Sequence, residues 1–181
     1  MIDEKALIKQ LSDPSTKEAA FTRIVREYQE PLYWQIRRMV LVHDDADDVL
    51  QNTFIKAWSA INDFRGESRL QTWLFRIAIN ESLNHLSKKK QVLSLDQTES
   101  GVADMHMLAS DSYFDGDEVQ RQFQAAISTL PDKQRLVFNL KYFDEMKYED
   151  MSDMLGTSIG ALKASYHHAV RKISAFFEDN D

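Results

Sequence analysis

The chain has 181 residues, of which 43% are apolar, and a formal net charge of −7. This length suits one medium domain or two small ones. There is no run of about 18 apolar residues, so a membrane span is not expected. The N-terminus has no basic-then-apolar leader pattern, so secretion by means of such a leader is not expected either. The chain has no cysteine, which excludes disulfides and cysteine-bound zinc and favours a cytoplasmic location.

Helical periodicity is strong after a lead-in of residues 1–17, and glycine and proline are few. The first predicted helix has one apolar face, formed by Ala20, Phe21, Ile24, Val25 and Tyr28. Pro31 fits the first turn of a separate second helix, where its missing N–H is not needed. A third helix is predicted from about Asp44, with a buried face of Leu50, Phe54, Ala57, Trp58 and Ile61. A loop over 62–68 then leads to a fourth helix over about 71–88.

The composition changes at residues 91–115. This segment is rich in Ser and Asp and contains no Lys or Arg, which is typical of a flexible acidic linker. The sequence therefore predicts an all-α protein with two small helical domains, at 18–90 and 116–181, joined by this linker.

Four helices are predicted in the second domain, and the last two form a helix-turn-helix. The first has an apolar face of Val119, Phe123, Ala126, Ile127 and Leu130, and Pro131 opens the second, which buries Val137, Phe138 and Leu140. The third, at about 148–155, ends at Gly156, because glycine suits a left-handed helix end. Thr157 or Ser158 caps the last helix, whose core stripe is Ile159, Leu162, Tyr166, Ala169, Val170, Ile173 and Phe177.

The start of the third predicted helix is acidic. Asp45, Asp48 and Asn52 are spaced at i, i+3 and i+7, away from the predicted core side. Two interpretations stay open: a solvated helix start, where acids are favourable, or a negative surface that docks a basic protein partner.

The fourth helix carries an aromatic ring among cations and amides. Single-stranded nucleic acid is bound in this way, because bases stack on rings, Arg binds phosphates and amides bond exposed base edges. The alternative is that Trp73 belongs to the core, but its place in a polar sector of about 80° favours nucleic acid. The candidate residues of this helix and the preceding loop are Phe64, Arg65, Arg69, Trp73, Arg76, Asn80, Asn84 and Lys88.

The outward face of the last helix combines small and basic side chains. Ala161 and Ala164 let the backbone approach DNA closely, and the polar residues around them can reach the major groove. The alternative is a merely solvated face. The candidates for duplex contact are Ser158, Gly160, Ala161, Lys163, Ala164, His167, His168, Arg171 and Lys172.

Catalytic patterns are not found in the sequence. His167 and His168 are adjacent, so their rings point about 100° apart and cannot chelate jointly. There is no glycine-rich phosphate loop or nucleophile elbow, and the acids at 44–48 lack the other ligands of a calcium loop. We therefore expect no enzymatic activity, no cofactor and no metal.

Two motif blocks follow one another in the chain. The first runs over 44–58, continues with Phe64-Arg65-Gly66 and extends over 72–86; the second comprises Leu130-Pro131, Tyr148-Glu149-Asp150 and the run 155–163. Together they resemble the extracytoplasmic function (ECF) sigma factors of the sigma-70 family. The resemblance covers about 18–90 and 118–177, and it implies a factor that gives core RNA polymerase its promoter specificity.

The resemblance also implies partners. Asp45, Asp48, Gln51 and Asn52 would dock on the clamp helices of the polymerase β′ subunit, and contacts with the β subunit are expected as well. The linker would thread towards the active-site cleft and the RNA exit channel. An anti-sigma factor, often membrane-anchored in this family, is the remaining expected partner.

For promoter DNA, the resemblance implies two sites. The loop and fourth helix would open the −10 element and hold a flipped base, with Asn80 and Asn84 on bases and Arg76 and Lys88 on phosphates. The last helix would read the −35 element in the major groove. Here the chain departs from the family, which usually has Lys-Ser-Arg and a later Arg-Ala-Arg. In this chain Lys163 is followed by Ala164-Ser165, and the run 168–170 replaces the later group, which removes about three DNA contacts. We therefore expect the free protein to bind duplex DNA weakly.

Two alternatives stay open at this point. A stand-alone helix-turn-helix regulator would bind duplex DNA by itself, as a dimer, and would not need Trp73. A helical adaptor that binds only proteins would not need Arg171 and Lys172.

Overall fold

A computed structural model describes residues 4–64, 66–96 and 118–180, and all regular elements in these ranges are helices. They divide into two compact units, Met1–His85 and Leu86–Asp181. The prediction of an all-helical fold is confirmed for the described part of the chain. In chain order the elements are α1 (Glu4–Ser12), α2 (Lys17–Val40), α3 (His43–Ala60), a 3-10 helix (Ile61–Asp63), α4 (Leu70–Asp96), α5 (Glu118–Ser128), α6 (Asp132–Tyr142), α7 (Tyr148–Leu155) and α8 (Ile159–Asn180).

The core of the first unit draws on α1, α2 and α4. Its most deeply buried side chains are Leu7, Ile24, Leu32, Ile36, Met39, Leu70, Leu74 and Ile79. Removing such a side chain from water contributes about 1.5–3 kcal/mol. Helix α1, which packs on α2 through Leu7 and Leu11, falls in the lead-in, where no helix was predicted from the sequence.

Helix α2 is continuous through Pro31, so the prediction of two separate helices is wrong here. A proline inside a helix removes one hydrogen bond, at a cost of about 3 kcal/mol. Pro31 is exposed, so water can bond to the carbonyl that loses its N–H partner. The buried stripe continues at helical spacing on both sides of it, from Ile24 to Leu32 and Ile36, and this burial keeps the helix in one piece.

The buried face of α3 is rotated from the predicted one. The helix buries Ala46, Val49, Thr53 and Ala57, while Leu50 and Phe54 are half-buried and Trp58 is 40% exposed. Small side chains on this face let α3 approach α2, against which it packs. The polar Thr53 is accommodated because its hydroxyl donates to the carbonyl of Val49 at 2.7 Å.

The second unit has an aromatic core. The buried residues Ala126, Ile127, Leu130, Phe138, Ala169 and Ile173 form one cluster. The ring of Phe138 stacks on both Tyr142 and Tyr166, with 12° between the planes in each case. Two predicted core positions are wrong, because Val119 is 66% exposed and Val170 is 39% exposed.

The predicted helix-turn-helix is formed by α7 and α8. Gly156 ends α7 with a φ of 62°, in the left-handed conformation that glycine adopts without strain. The Oγ of Ser158 then accepts the N–H of Ala161 at 3.3 Å, so Ser158 rather than Thr157 caps α8.

The described residues include only the start of the predicted linker. Helix α4 extends to Asp96, beyond its predicted end at residue 88, so residues 91–96 are helical. The rest of the segment, 97–115, lies outside the described residues, as does Arg65.

Candidate functional site

The acidic part of α3 borders a groove between α2 and α3. Asp48 and Gln51 are exposed and line this groove, whose volume is about 360 Å³. Its other lining residues are Val25, Gln29, Asp47, Leu50 and Phe54. An apolar floor with an acidic and amide rim suits a helix of a protein partner that carries basic side chains.

Of the four predicted docking residues, Asp45 has a different environment. Its Oδ2 lies 3.3 Å from Nε2 of His85 on α4, and its side chain is 21% exposed. Asn52 is exposed but does not line the groove. The structure therefore brings Asp48 and Gln51 together, while Asp45 contacts α4.

Helix α3 also exposes apolar residues, among them Trp58, which was predicted to lie in the core. The ring of Trp58 lies 5.0 Å from that of Phe21, and Nζ of Lys17 lies 4.5 Å from the centre of the indole. Ile55 is 58% exposed on the same helix. The sequence did contain a signal for these exposed apolar residues, because α3 has more apolar residues than one buried helix face can hold.

The loop before α4 places Phe64 inside the protein. Phe64 is 8% exposed, and its ring centre lies 5.2 Å from that of Trp73, with the planes tilted by 44°. Gly66 has a φ of 71°, and a Cβ there would lie 3.1 Å from Cδ1 of Ile8. Phe64 therefore has its ring inside the protein in this structure, whereas Trp73 is half-buried.

The polar stripe of α4 is on the surface as predicted from its spacing. Arg76, Asn80, Asn84 and Lys88 are exposed, as is Arg69 in the loop. Because a helix rises 1.5 Å per residue, the stripe from Trp73 to Lys88 is about 22 Å long. It presents one aromatic edge, two amides and two cations along one line.

Both amides border a groove between the end of α3 and α4. The groove has a volume of about 520 Å³ and is lined by Lys56, Ala60, Ile77, Asn80, Glu81, Leu83 and Asn84. Apolar walls with a few polar groups are typical of sites for small molecules. Lys56, Ala60 and Glu81 were not among the predicted site residues, since Lys56 and Ala60 lie on another helix and Glu81 is an acid.

The outward face of α8 presents all nine of its predicted residues to solvent. Its opposite side is buried through Leu162, Ala169 and Ile173. The rings of His167 and His168 diverge, with centres 6.1 Å apart and planes at 59°. Small side chains near the start of the helix and cations further along fit the entry of a helix into a major groove.

Tyr148, at the start of α7, lies beside α8. Nζ of Lys163 is 5.7 Å from the centre of its ring, and Nζ of Lys141 on α6 is 5.1 Å from it. Both distances are within the range of a cation–π contact. Burial raises the pKa of Tyr148 above its usual value, and Tyr166 adds to the rise. The ring of Tyr148 thus contacts the ammonium groups of two lysines, of which Lys163 is a predicted DNA contact.

Neither a metal site nor a membrane helix occurs in the described residues. Among them, no three His, Asp or Glu side chains are grouped so that they could bind an ion. Within the same ranges, every helix is too short or too polar to cross a membrane.

Comparison with known proteins defines the class. Residues 24–92 match Sigma-70 region 2, and residues 120–173 match Sigma-70, region 4, so the chain carries two regions of the sigma-70 family in this order. The ECF RNA polymerase sigma factor SigW of Bacillus subtilis is 32% identical over 164 residues, which cover 84% of this chain and 88% of SigW. The chain belongs to the ECF sigma factors.

Other relatives agree with this assignment. The RNA polymerase sigma-H factor of Pseudomonas aeruginosa is 30% identical over 167 residues, covering 83% of this chain and 82% of that protein. Among solved structures, the sigma factor RpoE of Bartonella quintana, in complex with the anti-sigma factor NepR, has a TM-score of 0.71 at 25% identity. The match covers 87% of this chain and 96% of RpoE.

Proposed function

We propose that this chain acts in the cytoplasm, without enzymatic activity of its own, as the factor that brings core RNA polymerase to promoters with −10 and −35 elements and assists strand opening. The domains would be 18–90 for polymerase binding and the −10 element and 116–181 for the −35 element, joined by 91–115. The observation that supports this most directly is the stripe on α4, where a half-buried indole leads to two exposed amides beside an apolar groove.

Each surface then has one assigned partner. The groove between α2 and α3, with Asp48 and Gln51 on its rim, binds the polymerase β′ clamp. The stripe on α4 binds the opened non-template strand, and the outward face of α8 binds the −35 duplex. Because RpoE of Bartonella quintana was solved with an anti-sigma factor, we extend such a partner to this chain.

Co-elution with bacterial core polymerase on a sizing column tests the first step. The unmodified chain should elute with the core, and Asp48→Lys should weaken this because it reverses a charge on the rim of the groove. Asp44→Lys is the matched control, since Asp44 is an exposed acid of the same helix that does not line the groove. Free elution of the unmodified chain would contradict the proposal.

The two alternatives differ from the proposal in transcription assays with core polymerase. A stand-alone regulator would bind its duplex without the core, and Trp73→Ala would leave its activity intact. A protein-only adaptor would be unaffected by the reversal of charge in Arg171→Glu with Lys172→Glu. Under the proposal, both changes lower promoter-directed transcription.

A further inference from the structure

Helix α1 lies outside the part of the chain that matches Sigma-70 region 2, which begins at residue 24. It is nevertheless packed into the first unit, since Leu7 is 1% exposed and Leu11 is 5% exposed. A helix of nine residues is too short to be stable alone in water, so its order comes from these contacts. Helix α1 therefore has a fixed place in this unit, although the polymerase and DNA surfaces proposed above lie on other helices.

Polar contacts hold the end of α1 on the start of α2. Nη1 of Arg23 donates to Oε1 of Gln10 at 3.1 Å, and Oγ1 of Thr16 donates to the carbonyl oxygen of Gln10 at 2.8 Å. In the turn between the two helices, the N–H of Ser15 donates to Oδ1 of Asp13 at 2.9 Å. Each of these bonds contributes modestly, but together with the buried leucines they fix the direction of α1 relative to α2.

Helix α1 also contacts the segment that leads into α4. It packs on the 3-10 helix, and Ile8 and the buried Phe64 both line a groove between α1 and this segment. Cδ1 of Ile8 lies 3.1 Å from the position that a Cβ on Gly66 would occupy, so this methyl group lies against the backbone of the loop before α4. Residues 66–69 are exposed, so burial of their own side chains does not hold the loop in place.

We propose that Ile8 is a positioning residue for strand opening, because it holds the backbone of the loop before α4 in the conformation that binds DNA. This proposal rests on the proposed function, in which the loop and the stripe on α4 bind the opened strand. A loop that is already ordered loses less conformational entropy when it binds. The effect reaches the stripe itself, since the ring of Phe64 lies 5.2 Å from that of Trp73.

A purely structural role for α1 makes a different prediction. If Ile8 only added to the stability of the first unit, shortening it would matter less than shortening a more deeply buried side chain. Ile36 on α2 is such a side chain, because it is 0% exposed, whereas Ile8 is half-buried. Ile36 also lies about 28 Å along α2 from Lys17, the residue at which α2 begins.

The test uses holoenzyme formed from core polymerase and the full chain, on a double-stranded promoter selected with the wild-type chain. The rate of strand opening is measured by permanganate reactivity of promoter thymines. Ile8→Val removes the methyl group that faces Gly66 and should slow opening about threefold. Ile8→Ala should slow it about tenfold, since ordering one loop residue at binding has a cost of that order. Both variants should retain core binding.

Ile36→Val is the matched control, because it removes the same methyl group from the core of the same unit. It should lower the free energy of unfolding more than Ile8→Val does, since Ile36 is fully buried. The rate of strand opening should nevertheless stay at the wild-type value. Equal slowing in the two valine variants, or a loss of core binding in parallel with the loss of opening, would overturn the proposal.

A double variant tests whether Ile8 acts through the loop. Gly66→Ala introduces a Cβ against Ile8 at a φ of 71°, which strains the backbone, so it should also slow opening. Gly66→Ala combined with Ile8→Ala should slow opening by less than the product of the two single effects, because both changes act on one contact. Slowing equal to that product would contradict the proposed coupling.

The remaining outcomes separate this proposal from the proposed function. Ile8→Val loses one methyl group from a half-buried side chain, so it provides the test if Ile8→Ala does not fold. Opening at the wild-type rate in the folded Ile8 variants would overturn this proposal alone. Failure of the wild-type chain to bind the core or to open any promoter would overturn the proposed function and this proposal with it.

Discussion

The indole of Trp73 covers the buried ring of Phe64, with ring centres 5.2 Å apart. The two aromatic residues therefore have different roles, although both belong to the predicted −10 surface. Phe64 is 8% exposed and packs against the indole, while Trp73 is half-buried and keeps an exposed edge on the stripe of α4. A base that leaves the duplex can stack on the indole, and such stacking is worth about 1–3 kcal/mol per base.

This arrangement predicts that substitutions at the two positions affect different properties of the protein. Phe64→Ala should lower the free energy of unfolding by about 3 kcal/mol, because it leaves a cavity under the indole. Trp73→Ala should reduce strand opening by about tenfold or more while core binding is retained. Urea denaturation measures the first effect, and permanganate reactivity of promoter thymines measures the second.

Phe64→Leu is the control, since it fills most of the space without an aromatic ring. A loss of strand opening at unchanged stability in this variant would show that Phe64 itself contacts DNA.

The second unit offers a prediction about DNA affinity. Ala164 is exposed on the outward face of α8, where a cation can reach a phosphate without disturbing the core. Ala164→Arg should therefore tighten binding of the free protein to a −35 duplex. The slope of log affinity against log salt should steepen by about 0.9, the value for one added phosphate contact.

A salt titration by fluorescence anisotropy measures this slope. Ala175→Arg is the matched control, because Ala175 is also exposed on α8 but lies about 16 Å further along the helix, beyond the residues that enter a groove. Equal changes of slope in both variants would show only a general effect of charge and would contradict the assignment of the outward face.

Local sequence signals explain which parts of the fold could be predicted from the sequence. The turn after α7 was predictable because Gly156 and Ser158 satisfy local backbone needs that few other residue types meet. Pro31 was misleading because the cost of a proline is local, while the burial of Ile24 and Leu32 that outweighs it is set by tertiary packing.

The candidate surfaces show a similar division. The stripe on α4 follows from spacing alone, since its residues share one helix face. The groove beside it could not be predicted, because Lys56 and Ala60 come from another helix and their distance from Glu81 depends on packing. Leu50 was misassigned for the same reason: apolar character does not tell whether a side chain fills a core or lines a groove.

The turn between α6 and α7 contains a strained residue. Glu145 is exposed and has a φ of 49°, a left-handed conformation that costs a residue with a Cβ about 1–2 kcal/mol. Glu145→Gly should therefore raise the free energy of unfolding by about 0.5–1 kcal/mol, after allowing for the greater freedom of glycine in the unfolded chain. Thermal denaturation followed by circular dichroism measures the gain. Glu145→Ala removes the same charge but keeps a Cβ, so an equal gain in this control would contradict the explanation by backbone strain.

The environment of Tyr148 predicts how stability responds to alkaline pH. Burial and the neighbouring Tyr166 raise the pKa of Tyr148, so the folded state holds its phenolic proton more tightly than the unfolded state does. The stabilising contribution is therefore fully present below the unfolded pKa of about 10 and is lost as the pH rises through the higher folded value. Tyr148→Phe keeps the ring that Lys141 and Lys163 contact but has no proton to lose.

We expect the free energy of unfolding to fall less between about pH 8 and about pH 11 in Tyr148→Phe than in the wild-type chain. Urea denaturation at the two pH values, followed by far-UV circular dichroism, measures this difference. Tyr142→Phe is the comparison variant, because Tyr142 is 52% exposed and lies in the same unit. A pH dependence in Tyr148→Phe as steep as that of the wild-type chain would contradict the assignment, since the loss of stability would then come from other groups and not from the phenol that lies between the two lysines.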